Sequence, residues 1–389
     1  MRVAVNVEQL LFRAPGGTGR YTARLVAALP LIAPGDVVIP FCARHTRDQV
    51  AEAYRFFGLD HRGVADPVRI PLPRPVLYEA WHRLALPPLD WHSRALAGAD
   101  LVHAPSPAVP PRGRRPLVVT VHDAAFELHP EAYPRRGLEF HRRGVAVAAR
   151  RADLIITATE AAAAEIVQHT PIRREQLRVV PHGVDHRVAD PEEVDAVLGR
   201  WGLGDAPYVL WVGSLEPRKG LGTLVAAFAR LPPPASGPAP RLVLVGPAGW
   251  LGGGQIDDGD VALVQDRLRV LGSVDEGTLR ALYAGADVFA FPSWHEGFGL
   301  PVLEAMVQGT PVVCSDVDAL GEVAGGAARL VPVGDDVAWT AALSELLASP
   351  ERRVAMAAAG RARAAEFTWE RTALATRAVY VEALEADGR

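Results

Sequence analysis

"YVLWVGSLEPRKGLGTL", residues 208–224, joins an apolar run of strand length to a turn holding Pro217 and a helix opening after Gly220. A strand handed to a helix through a short loop is half of a βαβ unit, and the same alternation fills nearly the whole chain. In the first half the strand candidates are "RVAVNV", "VVIPFC", "DLVHA", "PLVVTVHD", "DLIITAT" and "LRVVPHG", with helical segments such as Thr18 to Leu29 and Glu160 to His169 between them. "YVLWVGS", "RLVLVG", "VLG", "DVFAFPS", "TPVVCS" and "ARLVPV" follow in the second half. The pattern restarts once, at Tyr208, after a polar Gly/Pro-bearing stretch read as a linker over residues 184–206. With 389 residues, more than one core usually fills, the chain is expected to form two α/β domains with parallel sheets. Their boundaries are placed at 1–187 and 188–369, with an amphipathic closing helix at 370–389 packing back on the first.

The totals, 49% hydrophobic and 22% charged residues, are those of a soluble globular protein, and no apolar run is long enough to span a bilayer. "MRVAVNVEQLLF" reads as a first strand rather than a signal peptide. Cys42 and Cys314 lack metal-site spacing and read as buried reduced thiols, which points to the cytoplasm. Residues 1–187 carry 25 Arg against 18 acids (+7), and residues 188–389 carry 16 Lys+Arg against 27 acids (−11). A basic first half suits an anionic acceptor or peripheral contact with the inner membrane face, and equally suits ordinary solvated charge. Residues 60–98, with Trp81, Trp91 and several arginines, fit no βαβ unit; they read as an acceptor-facing or membrane-adsorbing helix pair, or as a packed insertion. No nucleic-acid partner is expected.

Parallel α/β sheets bind ligands at the carboxyl ends of their strands. Arg218 and Lys219 sit there, after the strand beginning at Tyr208, and Lys219 is the chain's only lysine. Arginine offers a planar fork to two phosphate oxygens, whereas lysine is a point charge aimed at one, so a diphosphate could use both. The alternative is a solvated loop pair. In "FPSWHEGFGLPVLEAM", residues 291–306, Glu296 precedes a glycine-bearing turn and a helix beginning near Leu300, with Pro301 in its first turn. The amides of Phe298, Gly299 and Leu300 form an anion site at the positive end of that helix. Carboxylates beside it suit hydroxyls instead: Glu296 a sugar, Glu304 a ribose. Earlier in the chain, "APGGTGRY" opens a helix without being a dinucleotide fingerprint, because Thr22 stands where a third glycine would. Gly17 there permits a close phosphate approach or is simply loop punctuation. His122 at the end of "PLVVTVHD" could bond a donor sugar, shuttle a proton, or satisfy the fold. His182 in "PHGVD" is read as holding a corner between domains.

Together these segments resemble the retaining glycosyltransferases of family 4, which have the GT-B fold of two Rossmann-like domains facing across a cleft. The resemblance rests on the E-x7-E spacing from Glu296 to Glu304, on "RKG", "VLGSVDEGTLRALYAGADVFAFPS", "PGGTGRY", "VHDAAF", "VVPHGVD" and "FTWERTALATRAVYVEAL", in the family's order over almost the whole chain. It implies a nucleotide-sugar donor in the second domain, Arg218 and Lys219 on its diphosphate, Glu296 on the sugar, Glu304 on the ribose, and backbone near Gly272 to Val274 on the base. It also implies that His122 touches the sugar and that Gly17 borders the transferring group. One departure stands out: many relatives carry arginine directly after the strand glycine, where this chain has Ser214, so Arg218 would supply that guanidinium. The "LEPRK" and "HD" segments resemble mannosyltransferase-like members, which favours GDP-mannose, with a UDP-sugar as alternative. The expected reaction is hexosyl transfer to a hydroxyl acceptor on a glycan, a lipid-linked molecule or a small molecule.

"DDGD" at 257–260 and "DVD" at 316–318 read as helix caps rather than cation ligands, and neither an essential metal nor another cofactor is expected. An NAD-dependent oxidoreductase is the rival enzyme class, disfavoured because neither domain's first loop carries G-x-G-x-x-G. A non-catalytic nucleotide-sugar-binding relative is a third reading, which donor hydrolysis without acceptor would separate from the transferase.

Overall fold

The computed structural model describes residues 1–12, 16–234, 236–247 and 257–388. Thirteen strands are formed among them: β1 (Arg2–Asn6), β2 (Val37–Cys42), β3 (Val68–Arg69), β4 (Leu101–Ala104), β5 (Leu117–Thr120), β6 (Leu154–Thr157), β7 (Leu177–Val179), β8 (Tyr208–Val212), β9 (Arg241–Val245), β10 (Leu268–Gly272), β11 (Val288–Phe291), β12 (Val312–Ser315) and β13 (Arg329–Val331). All pair in parallel, in two sheets. The chain divides into two compact units, Met1–Gly183 with Thr368–Arg389, and Val184–Phe367. The sequence placed these divisions at 187/188 and 369/370.

The first unit holds a seven-stranded sheet in the order β3-β2-β1-β4-β5-β6-β7. Its inner strands β4, β5 and β6 are buried at every position. That burial on both faces is why they read as continuous apolar runs rather than as alternation. The order reverses at β1, so the switch point lies between β1 and β4, where the loops after the strands diverge. The helix Trp369–Ala386 belongs to this unit: Trp369, Ala373, Val379 and Tyr380 share a core with Tyr21 and Leu25 of the helix Gly16–Ile32. Arg377 of the same helix reaches Asp36 with Nε 2.7 Å from Oδ2.

A six-stranded sheet, order β10-β9-β8-β11-β12-β13, makes up the second unit. Here β8 pairs with β11 in the register Val209 with Val288 and Leu210 with Phe289. The order reverses between them, so the loops leaving β8 and β11 open side by side at the carboxyl edge.

Several expectations are corrected. Residues 184–206 are no plain linker, because Pro191–Trp201 is a helix, started by the reciprocal capping of Asp190 and Glu193 and ended by left-handed Gly202. Val194, Val197, Leu198 and Trp201 do recur at helical spacing and are half-buried, but the stripe is short and flanked by Gly- and Pro-bearing polar residues, so the segment reads as a linker. β3 was not foreseen, being two residues long at the sheet edge. Within residues 60–98 the helix Arg74–Leu84 buries Trp81 against Tyr78 (ring centroids 5.7 Å apart), so this tryptophan is core. Trp91 is 72% exposed. His122 and Asp123 lie beyond β5 in the following loop rather than in the strand. The helix read from Thr18 begins at Gly16, which puts Gly17 inside its first turn; Ala14 and Pro15 of the motif lie outside the described residues. Both cysteines are buried and unpaired, and burial pushes each thiol up to about 12, leaving them inert as nucleophiles. No described helix is long and apolar enough to cross a membrane.

Candidate functional site

The loop leaving β8 is fixed on both sides before any side chain is considered. Gly213 and Leu215 donate their N–H groups to Val245 and Pro247, and Trp294 N–H donates to the Arg218 carbonyl at 2.8 Å. Residues Pro217–Lys219 form one 3-10 turn, closed by Gly220 at φ +64°. A Cβ on Gly220 would lie 1.9 Å from the Pro292 carbonyl oxygen, so only glycine lets these two loops approach.

On that frame Arg218, Lys219 and Glu296 meet. Lys219 Nζ donates to Glu296 Oε1 at 2.6 Å, and Arg218 Nη1 stands 3.8 Å from Glu296 Oε2. Lys219 also sits 5.2 Å from the ring centroid of Phe291, the last residue of β11. The side chains of Lys219 and Glu296 are each 11% exposed. Burial lowers the Lys219 pKa and the neighbouring Arg218 charge lowers it further; Glu296 opposes both, with a net fall below the ordinary lysine value. For Glu296, burial raises the pKa but the two cations outweigh it, leaving the carboxyl below its ordinary value. The asymmetry is electrostatic: the carboxylate has two cations, whereas the ammonium shares its anions, Glu296 and more weakly Glu216, with a guanidinium.

Beyond Glu296 the chain turns through Gly299, at φ +97°, into the helix Leu300–Gln308. Val302 is the first helical residue whose N–H closes on a carbonyl, that of Gly299. The amides of Gly299 and Leu300 therefore stand at the positive end of the helix dipole. Phe298 offers backbone alone, because its ring is buried edge-on to Phe367 (centroids 5.9 Å apart). Glu304, one turn into the helix, accepts from the buried Tyr283 hydroxyl at 3.1 Å. Gly272 ends edge strand β10 at φ +70°, and Val274 follows just before the helix Glu276–Gly285. The structure thus brings Arg218, Lys219 and Glu296 into contact, sets Phe298, Gly299, Leu300 and Glu304 on the continuing segment, and leaves Gly272 and Val274 two strands away from β8.

Among the described residues no cluster of three His, Cys, Asp or Glu could hold a metal ion. Asp257 instead caps the helix Asp258–Val264, accepting from the amides of Gly259 and Asp260. Asp318 opens the helix Asp318–Ala324.

In the other unit, His122 Nε2 lies 3.1 Å from the Pro105 carbonyl. A carbonyl only accepts, so Nε2 carries the ring proton and Nδ1 is the acceptor nitrogen. Burial lowers the His122 pKa, against the pull of the Pro105 carbonyl and Asp123, and the ring is neutral at pH 7. Gly17 is exposed on the first turn of the helix Gly16–Ile32. His182 packs at a 37° tilt against Tyr21, with centroids 4.4 Å apart, and lies 5.5 Å from His122. Sequence reasoning missed the chain behind this pair. The Tyr380 hydroxyl lies 2.7 Å from His103 Nδ1, and His103 Nε2 lies 2.9 Å from Thr120 Oγ1, both at hydrogen-bond distance. Thr120 Oγ1 is in turn 3.4 Å from the Tyr21 hydroxyl. Tyr283 and the buried Glu216, 3.2 Å from Arg218, were missed too. Glu216 stood inside the quoted "LEPRK", but nothing local marks which acid in a loop turns inward.

Two doubly wound units, with cations gathered at the switch point of one, define a two-domain α/β protein of paired parallel sheets. Residues 15–188 match the profile of Glycosyltransferase Family 4, and residues 206–349 match that of Glycosyl transferases group 1. The chain is 30% identical over 361 residues to the O-antigen chain mannosyltransferase B of Escherichia coli, covering 91% of this chain and 93% of that one. It is also 33% identical over 287 residues to the MMP alpha-(1->4)-mannosyltransferase of Mycolicibacterium hassiacum, 69% of this chain and 66% of that one. Anabaena HepE, solved with UDP and glucose, superposes with a TM-score of 0.73 at 20% identity over 98% of this chain and all of that one, a likeness of fold. The chain belongs to the family 4 glycosyltransferases, with the GT-B fold, and is a transferase; the oxidoreductase reading falls.

Three buried histidines of the first unit, His82, His103 and His182, and two half-buried ones, His122 and His141, have a testable consequence. Burial is the leading cause in each case, lowering His82 to about 4, His103 to about 3, and His122, His141 and His182 below the ordinary value. Folded-state values below the unfolded one mean that the unfolded chain takes up protons first as pH falls. The stability contribution is therefore complete above about pH 6.5 and is lost on acidification towards the folded values, at up to about 1.4 kcal/mol per pH unit for each histidine. Urea midpoints at pH 7.5, 6 and 5 should fall steadily, with a shallower fall in His103→Gln; equal midpoints across that range would contradict the assignment.

Proposed function

We propose that the protein transfers a mannosyl group from GDP-mannose to a hydroxyl acceptor, with retention of anomeric configuration. The observation that carries this is the contact of Arg218, Lys219 and Glu296 beside the amide-bearing start of the helix Leu300–Gln308. That corner suits a diphosphate: the Arg218 fork spans two oxygens, Lys219 is aimed at one, and the Gly299 and Leu300 amides add to both. Donor arrival draws Lys219 from Glu296 to phosphate, which releases the carboxylate for sugar hydroxyls. Glu304 takes the ribose, and backbone from Gly272 to Val274 meets the base. His122 Nδ1 accepts from a sugar hydroxyl, and Gly17 lies beside the acceptor.

The anomeric C–O bond breaks with its electron pair going to the diphosphate. The acceptor oxygen bonds to the anomeric carbon from the same face, and its proton passes to the leaving phosphate. Fixed cations aimed at that developing charge lower the barrier more than they strengthen ground-state binding. They neutralise the leaving group without a resident metal or other cofactor. Mannose is favoured by the two relatives named as mannosyltransferases, while the UDP and glucose in HepE favour a UDP-sugar as the second reading. The acceptor is a glycan, a lipid-linked molecule or a small molecule.

Among nucleotide sugars screened by thermal unfolding, GDP-mannose should stabilise most, by about 2.7 kcal/mol at 100 times its Kd. Stabilisation by UDP-glucose alone would replace the donor assignment. Lys219→Ala should lower kcat by about 10²–10³ with a much smaller change in KM. A kcat near wild type would remove Lys219 from the leaving group. NMR of the product should show the donor's anomeric configuration, and an inverted anomer would rule out same-face attack.

A further inference from the structure

Glu216 is the one carboxylate of this corner that no ligand role accounts for. Its side chain is 4% exposed, it accepts from the Ser214 hydroxyl through Oε1, and its Oε2 lies 3.2 Å from Arg218 Nε. Its backbone is constrained as well, the N–H going to the Ser214 carbonyl at 2.8 Å and the carbonyl accepting from Lys219 N–H at 3.0 Å. An anion this near a diphosphate weakens diphosphate binding by repulsion, and burying it costs several kcal/mol unless it is paired. Burial here is offset through the guanidinium. Arg218 Nε is ion-paired with Glu216 Oε2 at 3.2 Å without a hydrogen bond between them, while Nη1 stands 3.8 Å from Glu296 Oε2. When Glu296 serves the sugar, Glu216 is the carboxylate still holding Arg218 in direction.

We propose that Glu216, braced by Ser214, is the positioning residue that aims Arg218 at the leaving diphosphate. This rests on the diphosphate reading of Arg218 given above. The carboxylate does not touch the donor; it fixes the outer edge of the fork at the place where charge develops. A misaimed fork costs turnover, whereas loss of the Glu216 charge relieves repulsion on the bound diphosphate. Turnover and nucleotide affinity therefore move in opposite directions, which loss of mere structural support does not produce.

The experiment measures diphosphate release from GDP-mannose and UDP-glucose without acceptor, using the better substrate of the wild type, together with calorimetric affinity for the matching nucleoside diphosphate. Glu216→Gln should lower kcat by about 10- to 100-fold. Its nucleoside diphosphate Kd should be unchanged or smaller, and Glu216→Asp should recover part of the rate. In an Arg218→Ala background, Glu216→Gln should cause no further loss, because it acts through the missing side chain. Ser214→Ala should lower kcat by less, with the nucleoside diphosphate Kd unchanged because the Glu216 charge remains, and serves if Glu216→Gln does not fold. An impaired Arg218→Ala beside wild-type turnover in Glu216→Gln, or additive losses in the double variant, would overturn the positioning role while leaving the diphosphate reading intact. Wild-type turnover in Arg218→Ala, or release from neither donor by the wild type, would overturn the diphosphate reading and the positioning role with it.

Discussion

The parallel pairing of β8 with β11 is the constraint on which the site depends. These strands are separated in sequence by β9 and β10, yet they are neighbours because the second sheet grows one way from β8 and then the other way from β11. Lys219 and Glu296, 77 residues apart, are thereby delivered to the same edge. Two backbone features complete the approach: Gly220, which lacks the Cβ that would strike the Pro292 carbonyl, and the Trp294 amide bonded to the Arg218 carbonyl. Backbone contacts of this kind hold the loops whatever ligand is present. The side chains are then free to exchange partners without the frame collapsing.

Charges on that frame alternate as Glu216, Arg218, Glu296 and Lys219. Four ionised groups this close and this buried persist only because each faces an opposite charge. The quartet is neutral as a whole, so an arriving diphosphate must compete with Glu296 for both cations. Competition of this sort weakens ground-state binding, and a cation held back from full phosphate contact in the ground state has stabilisation left for the more charged transition state. The depressed pKa of Lys219 fits that logic, since burial keeps its ammonium poorly solvated until a second anion arrives.

The strands were legible because parallel sheets covered on both faces bury every side chain, which turns strands such as "VFAF" of β11 into short apolar runs. Lys219, Glu296 and Gly299 could be read as site residues because each lies just past a strand end, where a doubly wound fold exposes its loops. Elsewhere local pattern failed for physical reasons. The helix Pro191–Trp201 carries a short stripe, Val194, Val197, Leu198 and Trp201, that is only half-buried, and the Gly- and Pro-bearing residues around it made the segment read as a linker. Composition left Trp81 open between a surface anchor and a packed insertion, and the packed reading holds: its partner Tyr78 lies one helical turn back and both face the core. Glu216, Tyr283 and His103 act only through residues distant in sequence or hidden within a loop, and no spacing rule reports that.

The first unit solves a different problem, that of keeping polar groups inside an apolar core without charging them. Tyr380, His103, Thr120 and Tyr21 form a run of hydroxyls and one imidazole. Each can donate or accept, so a neutral His103, with its proton on one ring nitrogen, satisfies both neighbours where a charged one could accept from neither. Burial pushes the Tyr21 hydroxyl up to about 12 and His103 down to about 3, so neither ionises near neutrality. Tyr21 in turn packs against His182 and His122, whose own proton is fixed by Pro105. The closing helix thus does more than cover the sheet: through Tyr380 it joins the bonded run that reaches Tyr21, whose ring lies edge-on to His122. An unbroken sequence of neutral donors and acceptors can hold that ring in one orientation over the pH range in which a transferase works, which a charged pair screened by solvent would do less well.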